Sequence, residues 1–245
     1  MSLLATLPTV PIKRATKPEQ LTALLYGRPG VGKTYTASHA ENSLLLATER
    51  GYQHIDGILV KDIRCWSADT EANKEHGLTN ILAALSKGGH GFKHIVIDTI
   101  DNAYELCTAY VCAKEGMSHP SDKKYGKGHA LVNNEFKRVL IKAQMMGLGI
   151  LMTSHARVRE VETRLGTQET ICPTLTPGAT EAVVNMCDLV LYAFHCKGEG
   201  DEMARKMTCA PSETIVTKDR TSLITGDLPL DWNELQRLMK GKLSE

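Results

Sequence analysis

The chain has 245 residues, which at roughly 150 residues per domain is one large domain or two small ones. Its 29 Lys plus Arg against 28 Asp plus Glu leave a net charge of +1, and 42% of its residues are hydrophobic. These figures argue against a disordered chain, a collagen-like fibre and a strongly basic nucleic-acid coat, and leave only local basic clusters as DNA contacts. No apolar run approaches the roughly 18 residues of a spanning helix, so no membrane partner is expected. The start of the chain lacks the charged end and apolar block of a signal peptide. Seven cysteines, an odd number with no CxxC spacing, read as reduced thiols of a cytoplasmic protein.

Residues 1–20 read as an exposed arm, with Pro8, Pro11 and Pro18 beside Lys13, Arg14 and Lys17. Residues 21–26 (LTALLY) predict a buried strand that ends in a glycine-rich turn, and residues 34–41 a helix. A second strand follows at 43–48 (SLLLAT). Residues 69–87 predict one helix, with Leu78, Ile81, Leu82 and Leu85 at helical spacing. The third strand is 94–98 (HIVID), followed by a helix over 103–114 and a polar loop over 116–129. A helix at 132–146 and a strand at 149–153 (GILMT) come next. Residues 156–178 are polar and turn-rich, with room for a hairpin.

Residues 180–186 predict a helix, 188–194 a strand, and 203–217 one or two terminal strands. Pro229 precedes a last helix, with Asp231 as N-cap and Glu234 as its capping-box partner. Apolar strands alternating with helices predict an α/β fold, a mainly parallel sheet with helices on both faces. The divisions expected are an arm (1–20), a core (21–228) and a C-terminal helix (229–245).

Gly27, Arg28, Pro29, Gly30, Val31, Gly32, Lys33 and Thr34 fit GxxxxGK[ST] between a strand and a helix. Such a loop curls its backbone N–H groups around a phosphate, and the helix that follows adds its positive end. Lys33 reaches the β- and γ-phosphates of ATP, Thr34 places a hydroxyl on Mg²⁺, and Tyr35 directly follows. Asp98, after four apolar-strand residues, is the expected carboxylate of the Mg²⁺ shell. Hydrolysis also needs a group to orient or deprotonate water. The position after Asp98 is Thr99, so the base comes from elsewhere. Glu49 at the end of the second strand is favoured, and Asp101 is the alternative.

These motifs, LLLATER, HIVIDT and ILMTSH after the phosphate loop, resemble a RecA-like P-loop NTPase core rather than a GTPase or AAA+ variant. The chain is similar to phage-encoded nucleotide-binding proteins, including single-strand annealing proteins of the Sak type, over roughly residues 20–225. The resemblance implies an ATPase acting on single-stranded DNA in recombination, annealing or repair, in the host cytoplasm. It implies Glu49 as catalytic carboxylate and His155 as γ-phosphate sensor, where RecA carries glutamine. It implies assembly into a ring or filament, and single-strand binding protein as a partner.

Two DNA loops are implied, one with Lys123, Lys124, Lys127 and the stacking residue Tyr125, the other with Arg157, Arg159 and Arg164. Arg220, assisted by Lys218, corresponds to a finger reaching the neighbour's ATP. A helicase or helicase loader on the same core is one alternative. A nucleotide-gated regulatory binding protein with little turnover is another.

Overall fold

The computed structural model describes Val10 and residues 17–163, 166–198 and 202–244. Most of the expected arm, with Lys13 and Arg14, lies outside the described residues. Its end does not behave as an exposed arm: Pro18–Gln20 forms a 3-10 turn with Pro18 buried, and Gln236 Nε2 donates to Pro18 O at 3.0 Å.

A sheet carries the fold. Strands β1 (Thr22–Gly27), β2 (Ser43–Ala47), β3 (Val60–Asp62), β4 (His94–Asp98), β5 (Gly149–Thr163), β7 (Leu189–Lys197), β8 (Met203–Thr208) and β10 (Leu228–Pro229) run in the order β10-β8-β7-β1-β5-β4-β2-β3. Strand β6 (Gly166–Pro173) pairs with β5, and β9 (Lys218–Asp219) with β7. The ladders among β3, β2, β4, β5, β1 and β7 are parallel, and those made by β6, β8, β9 and β10 are antiparallel.

Central strands of a parallel sheet are covered on both faces, which explains their unbroken apolar runs. Every residue of β1 and of β4 is buried. Alternation divides them between two cores. Leu24, Tyr26, Ile95 and Ile97 face one, and Ala23, Leu25 and Val96 the other. The first core is closed by α3 (Leu78–Leu85), α4 (Ile100–Lys114), α5 (Lys127–Gln144) and α6 (Pro177–Met186). The second is closed by α1 (Lys33–Ser38) and α7 (Trp232–Ser244), through Ala37, Trp232, Leu235 and Met239. The last helix is therefore part of the core's wall, not an appendage.

Several expectations are corrected. The single helix over 69–87 is two, α2 (Glu71–Lys74) and α3, because the chain turns back at Gly77. There Leu78 N donates to Cys65 O at 3.0 Å and Thr79 N to Trp66 O at 2.9 Å. Strand β3 pairs beside β2 without any strong apolar run in its sequence. The hairpin expected within 156–178 does form, as an eight-pair ribbon of β5 against β6. The 116–129 loop holds two 3-10 turns, Pro120–Asp122 and Lys124–Gly126, and α5 already begins at Lys127. Asp231 Oδ1 caps α7 by accepting from the N–H groups of Asn233 (2.8 Å) and Glu234 (3.1 Å), but the Glu234 carboxylate turns to Arg237.

Phe136 is fully buried, with its ring centroid 5.0 Å from Tyr104 and 5.8 Å from Trp66. Phe136→Ala is expected to cost about 3–5 kcal/mol in urea unfolding, because this aromatic cluster cannot collapse into the space.

Candidate nucleotide site at the carboxyl edge of the sheet

Parallel strands deliver their C-terminal ends to one edge, where ligands of open α/β sheets bind. Gly27 ends β1 at that edge, packed so closely on β7 that a Cβ would lie 2.4 Å from Ala193 O. Gly30 and Gly32 take φ values of +78° and +107°, which turn the loop's backbone inward. Lys33 is buried, and its Nζ donates to Gly27 O at 3.1 Å and Arg28 O at 3.2 Å. Burial pulls the Lys33 ammonium below its ordinary pKa, opposed by Asp98, Glu49 and Asp101. A cation folded back onto its own loop has strong acceptors to exchange for phosphate oxygens.

Asp98 has no solvent exposure. Its Oδ2 accepts from Thr34 Oγ1 at 3.0 Å, and its Oδ1 from Thr153 Oγ1. Burial pushes this carboxyl up, while the Thr153 and Thr34 hydrogen bonds and Lys33 hold it down. Thr153 is absent from the sequence-based set of site residues. Its signal was a hydroxyl ending the run GILMT, beside the Walker B strand. Thr48 was also missed. Its hydroxyl accepts from Thr99 N at 2.9 Å and contacts Asp98 O at 3.1 Å, bracing the turn after β4.

The two candidate bases are separated by their partners. Asp101 is committed, accepting from Ser154 Oγ at 2.8 Å and His155 N at 2.9 Å. Glu49 is half-buried and accepts only from Asn102 Nδ2, at 3.2 Å, among the described residues. Burial, then Asp98, raise its pKa, opposed by His155 and Lys33. His155 Nε2 stands 3.9 Å from Glu49 Oε2, and His155 Nδ1 is buried without a partner among the described residues. Tyr35 is 57% exposed beside the loop, its ring stacked on His39 at 4.1 Å.

The expected DNA and trans-acting residues lie elsewhere, and several are already engaged. Lys123 pairs with Glu115. Lys124 and Lys127 are exposed, and Tyr125 is 95% exposed at φ +58°. Arg157 donates to Leu175 O at 2.7 Å, which makes it a brace at the ribbon's base rather than a free cation. Arg159 is half-buried on the ribbon, where Glu160 stands directly opposite Glu169 and Glu162 lies nearby. Arg164 lies outside the described residues.

Lys218 and Arg220 sit at the end of β7 away from the phosphate loop. Lys218 Nζ donates to Val184 O (2.7 Å) and Asn185 O (3.0 Å). Arg220 donates to Asn185 O (2.8 Å) and pairs with Asp188 (3.1 Å). Both therefore cap α6 in their own subunit.

A parallel sheet whose edge carries this glycine loop, with the loop hydroxyl on a buried strand-end carboxylate, defines a P-loop nucleotide-binding core. The family model described as AAA domain matches residues 19–221, and the chain belongs to that family of P-loop ATPases. The match is to an AAA description, where the motifs alone favoured the RecA branch. No curated protein matches the chain. Among the described residues no helix is long and apolar enough to cross a membrane.

The residues fit MgATP. Mg²⁺ keeps several waters and needs few protein ligands, which suits one hydroxyl and one carboxylate. Among the described residues no group of three or more His, Cys, Asp and Glu could hold a metal by itself. Lys33→Ala is expected to abolish ATP hydrolysis in a phosphate-release assay. Glu49→Gln is expected to keep ATP binding and slow turnover by about 10²–10⁴, the span of general base catalysis. A base acts only when ionised, and a raised pKa keeps Glu49 protonated to higher pH. The kcat–pH profile should therefore climb through an acidic limb above the ordinary glutamate value of about 4.3.

Proposed function

We propose that the protein is a Mg²⁺-dependent ATPase of RecA-like phage type that couples hydrolysis to binding of single-stranded DNA, in annealing, recombination or repair. The observation that carries this reading is the continuity of β5. Up to His155 the strand pairs in parallel with β1, His155 lying opposite Gly27 of the phosphate loop. From Ala156 onward the same strand pairs antiparallel with β6 and leaves the sheet. One continuous strand thus joins His155, beside Glu49, to a projecting ribbon. A cavity of about 580 Å³ adjoins it, running from His155 and Asn102 to Ser118 and His119 at the foot of the lysine loop.

In this reading Lys124 and Lys127 neutralise phosphates and Tyr125 stacks on a base. Lys123 joins them once its pair with Glu115 opens. The ribbon contributes Arg159, which stands beside the carboxylates of Glu160, Glu162 and Glu169. Thr34 and Asp98 would hold magnesium with ATP, and the ion would supply charge neutralisation at the transferred phosphate. Arg220 and Lys218, at the far end of the sheet from their own loop, serve a neighbouring subunit's nucleotide in a ring or filament once they release Asp188 and the carbonyls at the end of α6. Single-strand binding protein is the expected companion on DNA.

Single-stranded DNA is expected to stimulate ATP hydrolysis, read by phosphate release with and without oligonucleotide. Anisotropy titrations should show affinity falling steeply with salt, and Lys124→Ala or Lys127→Ala should each reduce the salt slope by about 1. Hydrolysis indifferent to DNA, with no binding at low salt in the presence of ATP, would remove the DNA assignment and leave the ATPase.

A further inference from the structure

The phosphate loop has two flanks, and they differ chemically. On the β5 and β4 flank stand Asp98, Glu49, Asp101 and His155, the groups suited to a metal-bound terminal phosphate. The other flank is β7 and its hairpin with β8. There β1 ends with Gly27 opposite Ala193, whereas β7 runs on to Lys197 and pairs with Met203 at the tip of the hairpin. The hairpin therefore overhangs the loop.

Arg205 lies on that overhang, opposite His195. A Cβ on Gly32 would lie 3.2 Å from Arg205 Nη1 and 3.6 Å from Leu230 Cδ2. Residues two apart on a strand share a face. Met207 is buried in the core that α1 closes, so Arg205 is on the α1 side of the sheet. The placement is held from below. Leu230 N donates to Arg205 O at 3.1 Å, and Thr36 Oγ1 of α1 donates to Leu230 O at 3.1 Å.

The guanidinium is exposed and has no hydrogen-bond or ion-pair partner among the described residues. Arg138, Arg220 and Arg237 each pair with a carboxylate. Arg205 thus keeps its planar fork of donors unspent beside Gly32 of the phosphate loop, and such forks bind phosphate oxygens in bidentate fashion.

We propose that Arg205 is a same-subunit phosphate-binding residue, engaging the non-bridging oxygens of the α- and β-phosphates on the flank opposite the metal carboxylates. The proposal rests on the nucleotide reading of the loop. The terminal phosphate belongs to the carboxylate flank, so Arg205 holds the part of ATP that ADP retains. Binding that is equal in ground and transition states lowers KM and leaves kcat unchanged. Arg205 differs in this from Arg220, whose proposed role needs a second subunit.

Calorimetric titration of the full chain and of Arg205→Ala with MgATP, MgADP and inorganic tripolyphosphate tests this. A charge-assisted bond of about 1.5–3 kcal/mol converts to a rise in Kd of roughly 10- to 150-fold. That rise is expected for all three ligands alike, with kcat within about twofold and part of the affinity restored in Arg205→Lys. Circular dichroism confirms that the variant is folded.

Weakened ADP binding with tripolyphosphate binding unchanged would assign the guanidinium to the nucleoside and overturn the proposal. Unchanged binding of all three in Arg205→Ala, with Lys33→Ala impaired, overturns it while sparing the nucleotide reading. A wild-type protein that binds none of the three overturns the nucleotide reading, and the proposal with it.

Discussion

A fully buried carboxylate sits at the centre of this molecule, and the surrounding architecture is arranged to satisfy it. Ionised Asp98 out of water is costly unless hydrogen-bonded, and its partners come from two other strands' ends. Thr34 arrives from the first turn of α1, after β1, and Thr153 from β5. Both reach it because β5 is inserted between β1 and β4, so that Thr153 near the end of its parallel stretch lies beside the ends of β1 and β4. The same insertion delivers His155 beside Glu49, so the strand order that satisfies Asp98 also assembles the chemical groups. Burial pushes the Asp98 carboxyl up against the pull of the two hydroxyls and Lys33, and a cation beside it would favour the ionised form.

The same logic separates the carboxylates. Asp101 and Glu49 both act on the Lys33 ammonium, yet only Asp101 is consumed in holding Ser154 and the His155 backbone. That bond fixes the point where β5 exchanges the sheet for the ribbon. Glu49 is left with one amide partner and a nearby imidazole, in an environment that keeps its proton affinity high. A group that is positioned but not saturated can exchange a proton with water, whereas a doubly bonded one resists it.

The sequence patterns were most legible where burial was complete. The runs LTALLY, HIVID and GILMT became central strands because a strand covered on both faces favours apolar residues, with polar ones kept where hydrogen bonds satisfy them. The phosphate loop was legible because its glycines are demanded by backbone geometry. Strand β3 was not, since an edge strand gains its pairing from β2 rather than from its own composition. The break at Gly77 was hidden because Leu78, Leu82 and Leu85 keep helical spacing on either reading, and only the bonds to Cys65 and Trp66 decide it.

Sequence alone therefore determined the loop, the Asp98 and Glu49 positions and the alternation of strands and helices, all set by local backbone demands and desolvation. It could count cations but not tell which were free. Tertiary structure decided that. Lys123, Arg157, Lys218 and Arg220 are drawn to acceptors brought near by folding, and the carboxylates of the β5–β6 ribbon stand among its arginines. Arg205, unremarkable in sequence, is set over Gly32 by the overhang of β7 past β1. A side chain's charge belongs to the residue, but whether that charge is spent depends on the distance to its partners, which only the packed chain fixes.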